Sequence, residues 1–326
     1  IFLLRRQTEK VLTAAKFKYY SSMNLLNNNN SIPFYLQGIN NELITKYLSE
    51  NNFETKFSLF HKTYYKIARL IMPLFVRHYF QNRYTKKTKC NENFIFPDLV
   101  NLLQQDASIW NKLRETLYPK PYQCAIVITH DVETQKGYNF IPKVIELEQK
   151  YGFKGSWNIV PSKYKLHQQI LDFITHSGNE TGLHGYNHDG KLYYSEKIFN
   201  SRAKKINRFL TQFNAVGFRS PQVHRNLIWL QQLNILYDAS CFDYDPYQPF
   251  PGGTGSIWPF MAGKLVELPY TIPQDHVLFY TLQKKNIDIW INKTNWLVNN
   301  CGNILTLTHT DYLKEKNHLA LYEEYL

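Results

Sequence analysis

Cysteine is scarce in this chain, and what there is sits in no useful pattern. Cys90, Cys124, Cys241 and Cys301 are spread over 326 residues and none forms a C-x-x-C pair. That spacing excludes a thiolate zinc site and argues against a disulfide scaffold in a chain this long, leaving buried free thiols as the expectation. Long apolar runs are missing too. The nearest approach, Ile67 to Val76, is interrupted by Arg69 and Pro73 and falls short of the roughly 18 residues needed to span a bilayer. Zinc-finger spacing, RNA-stacking signatures and long basic helices are absent, so nucleic acid is not an expected partner. There is no internal repeat. Acidic residues are outnumbered, 26 against 38 Lys and Arg, for a formal charge of +12. That excess reads first as a solvated basic surface and second as affinity for an anionic glycan or membrane surface.

What is present is enough apolar material for a sizeable core. The chain is 44% apolar and 16% aromatic, which excludes a disordered class for most of its length. The length suits one large α/β domain with an appendage. The texture changes near residue 120. Residues 1–120 are rich in Asn, Lys and Tyr, with a polar tract at Asn27 to Asn30 that reads as a loop. Helices are expected over Tyr64 to Tyr84 and Asp98 to Leu117. The first is read mainly as packed on the main domain, with peripheral membrane contact as the second reading. Residues 121–326 alternate short apolar strands with helices. Strands are expected at Cys124–Thr129, Gly155–Val160, Thr181–Leu183, Gly217–Arg219, Leu236–Ala239, Leu265–Leu268 and Ile304–Thr308. Helices are expected at Ile141–Tyr151, Gln168–His176, Ser195–Phe213, Leu227–Leu233 and Ile287–Asn299. Seven such alternations imply a parallel barrel or a doubly wound sheet. The chain opens on Ile1 and stops inside a helical pattern, so both ends read as cut. Ile1 to Leu4, followed by Arg5 and Arg6, is too short for a signal core. A cytoplasmic location is the first expectation, with envelope association left open.

In parallel α/β folds, polar residues at the carboxyl ends of strands are the functional candidates. Four clusters qualify. In Thr129-His130-Asp131-Val132-Glu133, residues two apart point the same way in extended backbone, so Asp131 and Glu133 face one site and Val132 packs away. In His184-Gly185-Tyr186-Asn187-His188, two histidines at i and i+4 share a helical face and can reach one metal. In Gly217-Phe218-Arg219-Ser220-Pro221, Arg219 can pair with a carboxylate and lower its pKa. In Thr308-His309-Thr310-Asp311, His309 can serve as a general acid. Asp238 and Asp243 are further acids. His130 is expected in the core or just outside the site, and His167, His176, His224 and His276 at the surface or in packing. The glycine-rich stretch Pro251 to Gly255 has no helix start after it and reads as a surface loop, not a phosphate loop.

Taken in order, these clusters resemble the polysaccharide deacetylase family, the NodB homology or carbohydrate esterase family 4 group, over Cys124 to Tyr312. GNETGLHGYNHDGKL resembles its second motif, GFRSP its third and LTLTHTDYL its last. The resemblance implies an α/β fold, a distorted (β/α)7 barrel of the NodB type, here with a mostly helical N-terminal extension over 1–120. It implies a metal-dependent hydrolase that removes acetyl groups from N-acetylated sugars, using water held on a divalent metal. By resemblance Asp131 is the general base, His184 and His188 hold the metal, His309 protonates the leaving amine, and Arg219 holds and tunes Asp131. The family's first motif carries adjacent aspartates, whereas Val132 stands in the second place here and cannot ligate. Glu133 then takes the ligand role, as in branches that space the two acids by one residue. The alternative is that Asp131 binds the metal and no dedicated base exists. The family's late Asp-Trp motif is not evident, and Asp243 lies nearest to its place. Zinc is the first expectation for the metal, with cobalt, nickel or iron as alternatives. The expected partner is a polysaccharide or oligosaccharide. Two other readings stay open: a small-molecule amidohydrolase of the same fold, and a non-catalytic glycan-binding or assembly module.

Overall fold

Runs of β-branched and aromatic residues such as CAIVIT and GSWNI form a parallel sheet whose two faces are both covered. The structure, a computed structural model, describes residues 54–68, 71–73, 76, 79, 83, 96–118, 122–248, 250 and 253–326. The expected features at Ile1 to Arg6 and Asn27 to Asn30 lie outside the described residues, as does much of Tyr64 to Tyr84. The strands are β1 (Ala125–Val132), β2 (Gly155–Ile159), β3 (Glu180–His184), β4 (Gly217–Arg219), β5 (Tyr237–Asp238), β6 (Phe260–Ala262), β7 (Leu265–Glu267) and β8 (Asn303–His309). Their order is β6-β7-β5-β4-β3-β2-β1-β8. Every neighbouring pair is parallel except β6 and β7, which form an antiparallel edge.

The regular ladder stops between β7 and β8, and the segment 268–272 fills the gap. On one side Leu268 N–H donates to Asp238 O, Tyr270 N–H to Cys241 O and Asp243 N–H to Tyr270 O; on the other, Thr271 and Ile272 N–H donate to Leu305 O. Seven parallel strands thus close irregularly, in agreement with the expected distorted (β/α)7 barrel. The two largest buried clusters among the described residues mark an inside and an outside. Val127, Ala239, Phe242, Leu268, Tyr270, Leu305 and Leu307 pack together within the barrel. A larger cluster including Val132, Trp157, Ile159 and Leu183 packs between the sheet and helices Ile141–Lys150, Gln168–His176 and Glu196–Gln212. Along β1, Val127 faces in and Val132 faces out, the period-2 alternation of extended chain. Leu99, Val100, Leu103 and Leu113, from helices Asp98–Gln104 and Ala107–Thr116, join the outer core. No helix among the described residues is long and apolar enough to cross a membrane.

Several boundaries differ from expectation. The strands β1, β3 and β8 run further, so Asp131, His184 and His309 lie inside strands rather than after them; pairing on both sides of β1 extends the ladder. The single helix expected over Asp98 to Leu117 is two, because the Asp106 side chain accepts from Ser108 and Ile109 N–H and starts a new one. The helix expected over Leu227 to Leu233 is a 3₁₀ turn, Trp229–Gln232, entered through Asn226 bonds to Ile228 and Trp229 N–H.

The glycine-rich stretch is not a surface loop: Gly253 through Ser256 are buried. Thr254 and Gly255 N–H donate to Phe242 and Asp243 carbonyls, and at Gly253 (φ 149°) a Cβ would fall 2.2 Å from Asp243 O. Glycine here allows close backbone approach, and its buried polar groups are satisfied by that contact.

Beside this loop Asp243 pairs with buried Lys293 at 2.6 Å, and Asp245 accepts from Tyr247 N–H and Gln248 Nε2. Burial pushes both aspartates up to about 6. An acid raised by folding favours the folded state while protonated. Its contribution is full below about pH 4 and is lost as pH rises through 6. Asp245→Asn should therefore raise unfolding free energy at pH 7 by about 1–3 kcal/mol and flatten its fall between pH 4 and 6, read by urea denaturation across that range.

Candidate functional site

The inward row of β1 leads to the mouth of the barrel. Asp131 is buried there, and its Oδ1 accepts from Arg219 Nη1 and Asn158 Nδ2, each at 3.1 Å. Arg219, on β4, also donates from Nη1 to Thr129 Oγ1 and from Nε to Ala239 O, both at 2.8 Å. Asn158 and Gly182 face each other across β2 and β3. A Cβ on Gly182 would lie 2.4 Å from Asn158 Oδ1, so that glycine makes room for the amide that holds Asp131.

His184 ends β3. Its Nδ1 lies 3.1 Å from Arg219 O, a partner that only accepts, so Nδ1 donates there and Nε2 is the nitrogen aimed at the site. That Nε2 lies 3.6 Å from Asp131 Oδ2 and 3.8 Å from Glu133 Oε1. His188 Nε2 lies 2.9 Å from Glu133 Oε1, and the two imidazole centroids are 4.9 Å apart. The expected helical face is wrong, although the pair does meet. His184 is in a strand and His188 in the loop after it. Gly185 (φ 66°) and His188 (φ 55°) both adopt left-handed backbone, and a Cβ on Gly185 would lie 2.4 Å from the Pro221 ring. A tight reversal against the Gly217 to Pro221 segment therefore does what a helical turn was expected to do. Lys163 Nζ, 3.4 Å from His188 Nδ1, and Gln222 Nε2, 3.1 Å away, also border the site.

His309, at the end of β8, sits opposite Asp131 in register, with Nε2 3.8 Å from Glu133 Oε1. Its Nδ1 is 2.7 Å from Asp275 Oδ1, and its backbone N–H donates to Asp275 Oδ2 at 2.6 Å. Asp275, not Asp243, is thus the late acid of the site; Asp243 is turned away and neutralised by Lys293. Asp275 and Asn158 went unmarked in the sequence because nothing in their local pattern sets them apart. His130 lies outside the barrel, stacked on Trp157 and bonded to Glu148, as expected of a core histidine.

The electrostatics separate these groups. Burial pushes the Asp131 carboxyl up, but His184, Arg219 and His309, with the bond from Asn158, outweigh it and hold the carboxyl below its ordinary range. Glu133 is lowered further: His188, His184 and His309 overcome its burial. Burial drives His188 down to about 4 despite Glu133, so it is neutral and able to ligate at neutral pH. His309 goes the other way. Burial lowers it, but Asp275 first and then Glu133 and Asp131 lift it to about 9.

One donor atom from each of Glu133, His184 and His188 lies within 4.8 Å of the others. A carboxylate with two imidazole nitrogens suits a divalent ion and leaves coordination positions open.

The arrangement can be set beside known proteins. No family model matches the chain, and no curated protein matches it. In its strand arrangement the chain is similar to solved polysaccharide deacetylases and carbohydrate esterase family 4 members. A candidate polysaccharide deacetylase from Mycobacterium smegmatis is 16% identical over 64% of this chain and 84% of that one, with a TM-score of 0.49. PuuE allantoinase is 13% identical over 64% and 84%, at 0.44. The chitin deacetylase of Colletotrichum lindemuthianum is 10% identical over 62% and 79%, at 0.42.

The His309–Asp275 contact makes a direct prediction. In metal-free Asp275→Asn the largest positive influence on His309 is gone. Its titration midpoint, followed by NMR of the imidazole Cε1–H, should fall from about 9 to 6.5 or below. A midpoint that stays near 9 would show that Asp275 is not the cause.

Proposed function

We propose that this chain is a metal-dependent hydrolase that removes acetyl groups from N-acetylated sugars of a polysaccharide. One observation carries the reading: an ionised Asp131 and a protonated His309 flank a Glu–His–His donor set. The two groups titrate in opposite directions within one barrel mouth, the pattern expected of a base and an acid working on one bond. A divalent ion held by Glu133, His184 and His188, with zinc the first choice, would polarise the acetyl carbonyl and acidify water beside it.

The protein's own groups do the proton work. Asp131, with Oδ1 fixed by Arg219 and Asn158, takes a proton from the attacking water as its oxygen bonds to the carbonyl carbon. His309 gives its Nε2 proton to the sugar nitrogen as the C–N bond breaks, leaving acetate and a free amine. Asp275 holds the ring so that Nε2 points at the site. Assigning the ligand role to Glu133 leaves Asp131 free as base. This is supported by the 2.9 Å contact between Glu133 and His188 and by Asp131 Oδ1 being already occupied. A sugar substrate is supported by the partly exposed Glu133 side chain, which opens the site to one side. The Tyr312 ring, 4.9 Å from His309, adds a flat face suited to a pyranose.

The test is acetate release from chitooligosaccharides. Chelation should abolish it and zinc restore it. Asp131→Asn and His184→Ala should each lower kcat/KM by about 10²-fold or more. Parent-like rates in either variant would sink the assignment, and faster turnover of small N-acetyl amides than of oligosaccharides would favour a small-molecule amidohydrolase.

A further inference from the structure

Glu133 has a problem of support. β1 ends at Val132, its ladder with β2 ends at the same residue, and its ladder with β8 ends at Asp131 opposite His309. The Glu133 backbone is therefore outside all strand pairing, yet its carboxylate must stay beside His184 and His188 if the three are to hold an ion. A donor set is only as well placed as the groups behind it.

We propose that Asp311 is the positioning residue for Glu133, its side chain reaching back from the short helix after β8 to the backbone just past the end of β1. Residues 131 and 309 are the last pair in register, and Asp311 lies in the helix Thr310–Leu313 that begins directly after β8. Asp311 Oδ2 accepts from Glu133 N–H at 3.2 Å, and Oδ1 accepts from the hydroxyl of Thr134. Two consecutive residues are gripped by one carboxylate. The Thr134 oxygen in turn accepts from Gly137 N–H at 3.2 Å and caps the short helix Gln135–Tyr138. That helix is packed down on the clamp: a Cβ on Gly137 would lie 2.6 Å from both Asp311 Oδ2 and Thr310 Oγ1. Asp311 touches none of the three donor atoms. It acts through the backbone that carries one of them, and this inference rests on the metal-site reading above.

The experiment measures zinc affinity of the full chain by competition with a chromophoric chelator, alongside the thermal midpoint of the zinc-free protein. Asp311→Ala should weaken zinc binding about 10–100-fold. Asp311→Asn, which keeps one acceptor oxygen, should recover most of it. Gly137→Ala, which displaces the clamp without removing it, should weaken binding in the same direction. Ile174→Val, a core change on the buried face of helix Gln168–His176, should leave zinc affinity unchanged whatever it does to the midpoint. If Asp311→Ala does not fold, Thr134→Val carries the test, with a several-fold loss expected. Parent-like zinc affinity in a folded Asp311→Ala, or in Thr134→Val where that variant decides, overturns this inference alone. A parent chain that binds no zinc overturns the metal-site reading and this inference together.

Discussion

A carboxylate in a nearly dry barrel mouth stays ionised only if cations and donors surround it. Asp131 is that carboxylate, and much of the central architecture serves its charge. Arg219 reaches it from β4 while its other donors tie down Thr129 and Ala239. Asn158 reaches it from β2 through space that Gly182 leaves empty. The Arg219 carbonyl also orients the His184 ring through Nδ1. One residue therefore sets both the charge of the proposed base and the aim of a proposed ligand. The interactions that make a buried acid tolerable are the ones that make it useful.

The histidines show how far environment outweighs residue type. His188 and His309 open on the same mouth and face the same Glu133. His188 is held neutral because burial dominates; His309 is held protonated because a second carboxylate, Asp275, stands behind it. A neutral imidazole can ligate and a protonated one can donate, so the two roles follow from the charges set beside each ring, with Asp275 the largest difference.

Local pattern revealed a good part of this. The period-2 alternation of β1 placed Asp131 and Glu133 on one side and Val132 on the other, and Val132 is indeed packed outside the barrel. Strand–helix alternation left a parallel barrel or a doubly wound sheet open, and only the resemblance of the ordered motifs implied the distorted barrel. What was missed shares a cause. Asp275 went unmarked, and Asp311, quoted in the last cluster, had no role there; both bond residues far away in sequence, and no short window carries a trace of such a partner. The buried glycine loop at 253–256 failed for a related reason: its backbone bonds go to Phe242 and Asp243, so a composition typical of the surface is satisfied in the interior. The i, i+4 histidine spacing led to the right pair by the wrong geometry, since a left-handed reversal at Gly185 brings them together as a helical turn would.

By itself the sequence determined which residue types stand at strand ends and which side of each strand they face, because both follow from backbone periodicity and burial. Only the tertiary structure decided their chemical states. Whether Asp131 is ionised, which nitrogen of His184 faces the site, which acid backs His309 and what holds Glu133 beyond the end of β1 all depend on through-space partners. Electrostatic and hydrogen-bond energies fall steeply with distance, and those distances exist only once β1, β4 and β8 lie side by side.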